Sequence, residues 1–447
     1  MSAASGSFDT SAASALWWPV VSQARWFQGK SRGGSPRSLT PLPWLVDTAD
    51  LRVRPELLTV SYGAADGAIE TYQLLVAYRP SGCGGPAVIG TLDLDAASWD
   101  VSDATRDPEA MAAVLPAVAQ DRVYGTGHGP TLVATYSRPM PDGDLTPRVF
   151  TGEQSNTNVL YGDTALLKVF RKLEPGANLD RELTGRLLAG GVSDVPVLYG
   201  WLAVDTGDGE PDDLMMLTEL LPDPVDGWGL ATDAARTDTR FDEEAAALGR
   251  ALGQIHAALA ADHATVAGDD VADQMEARLT AAVEAAPALT EHEPALRTCF
   301  EALRGQTLPA QPVHGDFHLG QTLSTPLGWR IIDFEGEPLK SMAERRRPDS
   351  PLRDVAGMLR SLSYATSAAD DPHGTAATEW LQSAREAFLR AYRETAGSSA
   401  DETVLAAYEA DKAAYEAVYE TRNRPDWVHI PLGAIAALTT PNDPQRS

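Results

Sequence analysis

Cysteine is nearly missing from this chain: of 447 residues only Cys83 and Cys299 are cysteines. They lie too far apart in sequence for a metal-ligand pair, and no disulfide framework is expected, which points to a reducing cytosol. Positive charge is scarce too. Lys and Arg number 36 against 63 Asp and Glu, for a net charge of −27. So acidic a chain is a poor partner for nucleic acid or anionic lipid. No apolar run approaches bilayer-spanning length, and Ala15–Val21 is too short, and interrupted by Pro19, for the core of a secretion signal. A cytoplasmic protein with neither a membrane nor a nucleic-acid partner is expected. No internal repeat is evident. What remains is 43% apolar and 22% charged, the composition of a folded globular protein too long for a single core, so two or three domains are expected.

Residues 1–14 are rich in Ser, Ala and Gly and are expected to be disordered. Strand-like alternation in Leu57–Tyr62 and Thr71–Val76 is broken by turn chemistry at Ser81–Pro86. This reads as a β-rich domain over 1–90. A second domain, 91–221, holds an irregular segment and then short strands near 148–151 and at Ala165–Phe170 and Leu214–Glu219. Between the last two lies a helix with Asn178 as N-cap and Leu179, Leu183 and Leu187 on one face, ending at Gly190-Gly191. The remainder, 222–447, is mainly helical, for instance over 242–260 and 376–397.

The densest chemistry is Val313-His314-Gly315-Asp316-Phe317-His318-Leu319-Gly320-Gln321, followed by Arg330-Ile331-Ile332-Asp333-Phe334-Glu335. Phosphoryl transfer from a nucleotide needs this set. Asp316 would accept the proton of the attacking hydroxyl, while the amide of Gln321 and the carboxylate of Asp333 would hold the Mg²⁺ that bridges the phosphates. Either half alone is compatible with an ordinary turn or strand end; the two in order and at this spacing favour a kinase. The motif resembles the catalytic loop of the aminoglycoside-phosphotransferase branch of kinase-like enzymes, with Gln321 where Asn is usual.

Upstream, Gly152 to Asn158 reads as a loop over the phosphates of ATP, with Ser155, Asn156 and Thr157 as contacts, although a hairpin turn would look the same. Lys168 in an apolar strand is costly unless it meets an anion; the phosphates and Glu182 on the next helix would supply one. Lys168, Arg171, Lys172 and the run Arg345-Arg346-Arg347 are candidates for a positive island in an acidic chain. Glu219 to Leu221 sits where a hinge would offer groups to the adenine, though Leu220-Leu221 would also suit a core. His256 reads as a structural hydrogen-bonder, and Asp354 as a brace for the catalytic loop.

For an acceptor, steps of three and four place Tyr408, Asp411, Lys412, Tyr415 and Tyr419 along one side of a late helix, with Glu416 beside them. Aromatic faces stack on sugars, while carboxylates and ammonium groups bind hydroxyls; the competing reading is core tyrosines and solvated charges. Asp316, His318, Asp411, Tyr415 and Glu416 are the expected contacts of a small sugar. Six motifs spread over nearly the whole chain carry a wider resemblance. They are Arg-Trp-Phe-x-Gly-Lys from residue 25, Gly-Glu-Gln-Ser-Asn-Thr, Leu-Leu-Lys-Val-Phe, His-Gly-Asp-Phe-His-Leu-Gly-Gln, Ile-Ile-Asp-Phe-Glu-Gly-Glu-Pro, and Tyr-Glu-x-x-Tyr-Glu-x-x-x-Arg-Pro-x-Trp. Together they resemble the actinobacterial maltokinases. The resemblance implies an α+β, bilobal protein-kinase-like fold with an N-terminal β-rich cap, the 91–221 stretch ending in the N-lobe and 222–447 forming the C-lobe. It implies transfer of the ATP γ-phosphate to the anomeric hydroxyl of maltose, giving maltose 1-phosphate, with glucosamine as the acceptor of a similar branch. An antibiotic kinase, or a silent relative that binds nucleotide or glucan, is a more distant alternative.

Overall fold

The computed structural model describes residues 8–63, 67–125, 129–150, 155–260, 264–337, 340–372, 374–397 and 401–439. The chain divides into two compact units, one of residues 1–182 and 196–222, the other of residues 183–195 and 223–447.

The first unit holds two antiparallel sheets. The first runs in the order Ser35–Pro41, Arg52–Ser61, Ile69–Pro80, Ala97–Asp103, Val88–Leu94. The sheet therefore continues past residue 90: the Gly-rich stretch after Pro80 does not end the module but turns the chain into two further strands that pair with each other. A helix, Thr10–Gln23, lies where disorder was expected for residues 10–14. The Asp9 carboxylate accepts from the amides of Ser11 and Ala12, capping the N-terminus, and Ala13, Trp17 and Val21, at a helical spacing of four, are buried in the core of the first sheet. The expectation for residues 1–7 lies outside the described residues.

The second sheet runs Arg122–Tyr124, Thr131–Tyr136, Leu198–Asp205, Asp212–Glu219, Ala165–Val169, Thr157–Tyr161, Pro147–Val149. In the strand Ala165–Val169 the odd positions are buried and Leu166 and Lys168 are only partly so, which puts Lys168 on the less covered face. After two intervening residues, Lys172–Leu173 pairs with Tyr72 and Thr71 of the first sheet. One continuous segment thus belongs to both sheets. Gln73, fully buried, seals the junction: its side-chain amide donates to the carbonyls of Phe170 and Leu214, and its backbone amide to that of Arg171.

The second unit is mainly helical. Asp242–Leu259 and Thr375–Ala396 pack closely enough that a Cβ on Gly249 would stand 2.3 Å from the Phe388 carbonyl oxygen. The helices Leu352–Ala365 and Glu402–Asn423 and the small sheet of Val225–Asp226, Thr322–Thr325 and Gly328–Ile331 frame the segment 313–337. No helix among the described residues is long and apolar enough to cross a membrane.

Candidate active site

In the second unit the segment from His314 to Asp333 is held from behind by buried polar groups. Asp354, fully buried in the first turn of Leu352–Ala365, accepts from the amides of His314 and Gly315, both at 2.8 Å, and from His256 Nε2 at 3.1 Å. Burial pushes the Asp354 carboxyl up, but His256, His314 and the Gly315 amide outweigh it and hold it below the usual carboxylate range. His256 Nδ1 in turn meets the Tyr392 hydroxyl at 2.9 Å. A carboxylate oxygen can only accept here, so Nε2 is the donor toward Asp354. His314, also fully buried, meets the Ile332 carbonyl through Nε2 at 2.9 Å, which ties the loop to the stretch that ends in Asp333.

This frame carries Asp316 on the loop and, beyond it, Gln321 and Asp333, which meet each other. Gln321 Nε2 donates to Asp333 Oδ2 at 3.2 Å. Asp333 holds φ at +67°, a conformation that costs a non-glycine residue about 1 kcal/mol or more and persists only where the surroundings enforce it. The paired carboxylate and amide carbonyl are hard oxygen donors of the kind Mg²⁺ takes. Asp316 Oδ1 receives Lys412 Nζ at 3.2 Å, and Asp316 Oδ2 lies 3.9 Å from His318 Nε2. The Gly320 amide donates to His318 Nδ1 at 3.1 Å, which leaves the imidazole proton on Nε2, toward Asp316. Burial pushes the His318 pKa down and the Lys412 ammonium adds to this, with Asp316 opposing, so His318 is neutral near pH 7. Burial pulls the Lys412 ammonium down as well, yet Asp316, Glu416 and Glu337 prevail and raise it, so Lys412 stays charged. Asp316, Lys412, Glu337, Tyr408 and Asp411 line a small cavity.

The late helix, Glu402–Asn423, reaches this cavity through Asp411, one of the expected contacts, and through Tyr408 and Lys412. Asp411 is clasped by Arg278 through two bonds of 3.0 and 2.8 Å. Glu416 is held by Arg360 at 3.0 and 2.8 Å. Both carboxylates are thus already taken by guanidinium groups from other helices. Tyr408 is buried and donates to Asp349 at 2.6 Å, Tyr419 is exposed, and Tyr415 has the Lys412 ammonium 5.2 Å from its ring centroid. Lys412, which the sequence places on this face among groups suited to sugar hydroxyls but outside the expected contact set, bonds to Asp316.

In the first unit, Lys168 Nζ meets Asp180 Oδ2 at 2.9 Å. The sequence offered Glu182 for that role; Asp180, two residues earlier in the same first turn, is the buried one, and Glu182 is exposed. Asn178 caps the helix as expected, its side chain accepting from the Asp180 amide at 3.0 Å. The Gly152–Gln154 part of the expected loop lies outside the described residues, and Ser155 is exposed. The side chains of Asn156 and Thr157 are engaged from within: Asn156 Oδ1 accepts from the Arg171 amide at 3.3 Å and Thr157 Oγ1 from Arg171 Nε at 2.7 Å. Arg171 is buried and so is no part of a surface positive island. At the expected hinge, the amides of Glu219 and Leu220 are bonded to the carbonyls of Val197 and Thr164, the Glu219 carboxylate accepts from the Val197 amide, and Leu221 is buried.

A braced Asp beside an amide–carboxylate pair, together with a lysine strand ion-paired to the following helix, defines the class: a phosphotransferase of kinase-like fold. Residues 146–418 match the phosphotransferase enzyme family and residues 21–107 the maltokinase N-terminal cap domain. The chain belongs to that phosphotransferase family, in the branch that carries the cap. It is 30% identical over 353 residues to a glucosamine kinase of Streptacidiphilus jiangxiensis, a stretch covering 69% of this chain and 80% of that one. To a glucosamine kinase of Mycolicibacterium smegmatis it is 28% identical over 387 residues, covering 79% and 96%. Among solved structures, a glucosamine kinase in complex with glucosamine, ADP and inorganic phosphate superposes with a TM-score of 0.66 at 22% identity, over 95% of this chain and 99% of that one. A second crystal form of a glucosamine kinase gives 0.67 at 23%, over 94% and 99%. At such identities the likeness establishes the shared fold, kinase-like with an N-terminal β-rich region.

Proposed function

We propose that this protein is an ATP-dependent sugar kinase whose acceptor is a neutral sugar, maltose, phosphorylated at the anomeric hydroxyl to maltose 1-phosphate. The observation that carries the choice of acceptor is the charge around Asp316. A cationic acceptor such as glucosamine needs a free carboxylate for its amine. Here Asp411 is neutralised by Arg278 and Glu416 by Arg360, and Lys412 brings a further ammonium to Asp316 itself. Like charge at that range is repulsive, whereas a lysine suits sugar hydroxyls. Glucosamine remains the second reading, favoured by the activity named for the two relatives.

In this reading Asp316 Oδ2 takes the proton of the acceptor hydroxyl while Lys412 holds Oδ1 in place. Two atoms 3.9 Å apart can both reach one hydroxyl oxygen at about 2.8 Å, so His318 Nε2–H and Asp316 Oδ2 would share it and aim its lone pair. Tyr415 would flank the sugar. Gln321 and Asp333 would hold Mg²⁺, which when bound offsets charge on the nucleotide phosphates. Lys168, steadied by Asp180 with Glu182 in the same turn, would serve the phosphates, the loop Ser155–Thr157 would cover them through its backbone, and Glu219 and Leu221 would meet the adenine. The test is an acceptor screen with ATP and Mg²⁺ over maltose, glucose, glucosamine and aminoglycosides. Maltose is expected to show the highest kcat/KM; preference for glucosamine would replace this reading with the second.

A further inference from the structure

Asp333 sits in a left-handed conformation, φ +67°, that its surroundings must enforce. Upstream, His314 Nε2 donates to the Ile332 carbonyl at 2.9 Å, and the Ile332 amide donates to the Gln321 carbonyl at 3.1 Å. The Phe334 ring packs on His314, with centroids 4.7 Å apart. Downstream, the holder is Arg345, at the end of the short helix Met342–Arg345, which a capping box between Ser341 and Glu344 fixes. Arg345 Nη1 donates to the Glu335 carbonyl at 3.2 Å and Nε to the Lys340 carbonyl at 2.9 Å. Its aliphatic stem lies against Gly336, where a Cβ would meet Arg345 Cβ, Cγ and Cδ at 3.4–3.5 Å. Gly336 is itself left-handed, φ +74°, and its Cα would stand 3.3 Å from a Cβ on Gly315, the residue before Asp316. Arg345 is half-buried and turns back onto its own chain rather than out to a positive island.

We propose that Arg345 is a positioning residue: by fixing the carbonyls of Glu335 and Lys340 it pins the chain just past Asp333 and keeps that carboxylate beside Gln321. This rests on the reading of Gln321 and Asp333 as the Mg²⁺ pair. A planar guanidinium presents a rigid fork of donors and can bridge two carbonyls at once, which an ammonium on a flexible stem does less well. Without the bridge only the His314 side of the bracket remains, and Asp333 relaxes toward an ordinary backbone conformation. Its carboxylate then leaves Gln321 Nε2, which it meets at 3.2 Å. Because Gly336 packs against Gly315, the same clamp bears on the loop that carries Asp316.

The experiment follows Mn²⁺ binding to the full chain saturated with ADP, through the EPR signal of the free ion and with no acceptor present, alongside unfolding midpoints. Arg345→Met keeps most of the stem and removes both bonds. Mn²⁺ affinity is expected to fall about ten- to hundredfold, the scale for a partner that orients a metal-binding group. Arg345→Lys keeps the charge without the fork and should recover only part of that loss. The loss should be the same at about 0.05 M and about 0.5 M NaCl, because it comes from geometry and not from a screened attraction. The control is Arg385→Met, which breaks a two-bond pair with the buried Glu409 elsewhere in the second unit; it should lower the unfolding midpoint and leave Mn²⁺ affinity intact. Unchanged affinity in Arg345→Met overturns the proposal, and so does full affinity in Arg345→Lys, which would leave charge alone as the cause. An equal loss in Arg385→Met, the mark of general loosening, or a loss that vanishes at high salt also overturns it. Full Mn²⁺ affinity in Asp333→Ala defeats the metal reading beneath the proposal, an outcome distinct from the others.

Discussion

At the residue scale, Lys412 and Asp316 carry the sharpest consequences. Asp316→Asn keeps the shape and removes the proposed proton acceptor, and turnover measured at saturating substrates should fall roughly 10²–10⁴-fold. Near wild-type turnover in a folded variant would remove Asp316 from the chemistry. Lys412→Gln deletes the positive charge that faces the acceptor in the proposed reading. It should lower kcat/KM for maltose about tenfold and shift the ratio of glucosamine to maltose upward; a ratio that does not move would detach acceptor choice from Lys412. Glu416 behaves differently from an exposed sugar contact because Arg360, 2% exposed at its side chain, depends on it. Glu416→Ala strands a buried guanidinium and should cost about 3–5 kcal/mol by urea unfolding, whereas Glu416→Leu combined with Arg360→Met should recover much of that. A loss below about 1 kcal/mol in the single variant would contradict the pairing as a buried one.

At the element scale, the helix Leu352–Ala365 acts as the back wall of the loop His314–Gln321. A Cβ on Gly357 would stand 2.4 Å from the Phe317 carbonyl oxygen, and Asp354 a turn earlier holds the loop amides. Asp354→Ala leaves two buried amides and one imidazole N–H unmatched, each worth about 1–3 kcal/mol. Stability by denaturant titration and turnover should fall together, and wild-type turnover would show that the loop holds its shape unaided. This division between legible and hidden follows from chain distance. The order His314, Asp316, Gln321, Asp333 is local, so spacing alone exposes it. The helices near 242–260 and 376–397 are legible because their apolar period is long and regular. The state of the late helix is not: whether Asp411 and Glu416 are open depends on Arg278 and Arg360, which no window around residue 411 contains. Asp180 and Glu182 share a first turn, and only packing decides that the buried one meets Lys168.

At the scale of the whole molecule, the cap carries its own acid sensitivity. Burial pushes the Glu70 carboxyl up, but bonds from Tyr62, Tyr72, Lys172 and Arg32 overcome it and hold the pKa at about 2, against 4.5 for a free glutamate. A depressed carboxylate contributes stability that is present above the unfolded pKa and is lost as pH falls toward the folded one. The gap in melting temperature between wild type and Glu70→Gln should therefore be full above pH about 5 and shrink steadily below 4.5; a gap independent of pH would contradict this network. The extent of the cap was less legible than its existence, because a Gly-rich hairpin and a domain end look alike in sequence. The segment from Ala165 to Leu173 is registered at both ends, Lys168 against Met216 in one sheet and Lys172 against Tyr72 in the other. Side chains alternate along a strand, so inserting or deleting one residue there would turn Lys168 to the opposite face or break one of the two sheets. Length variation among homologous chains should therefore be absent from these nine positions and collect in turns such as Ser81–Ala87, where an added residue shifts no registered strand.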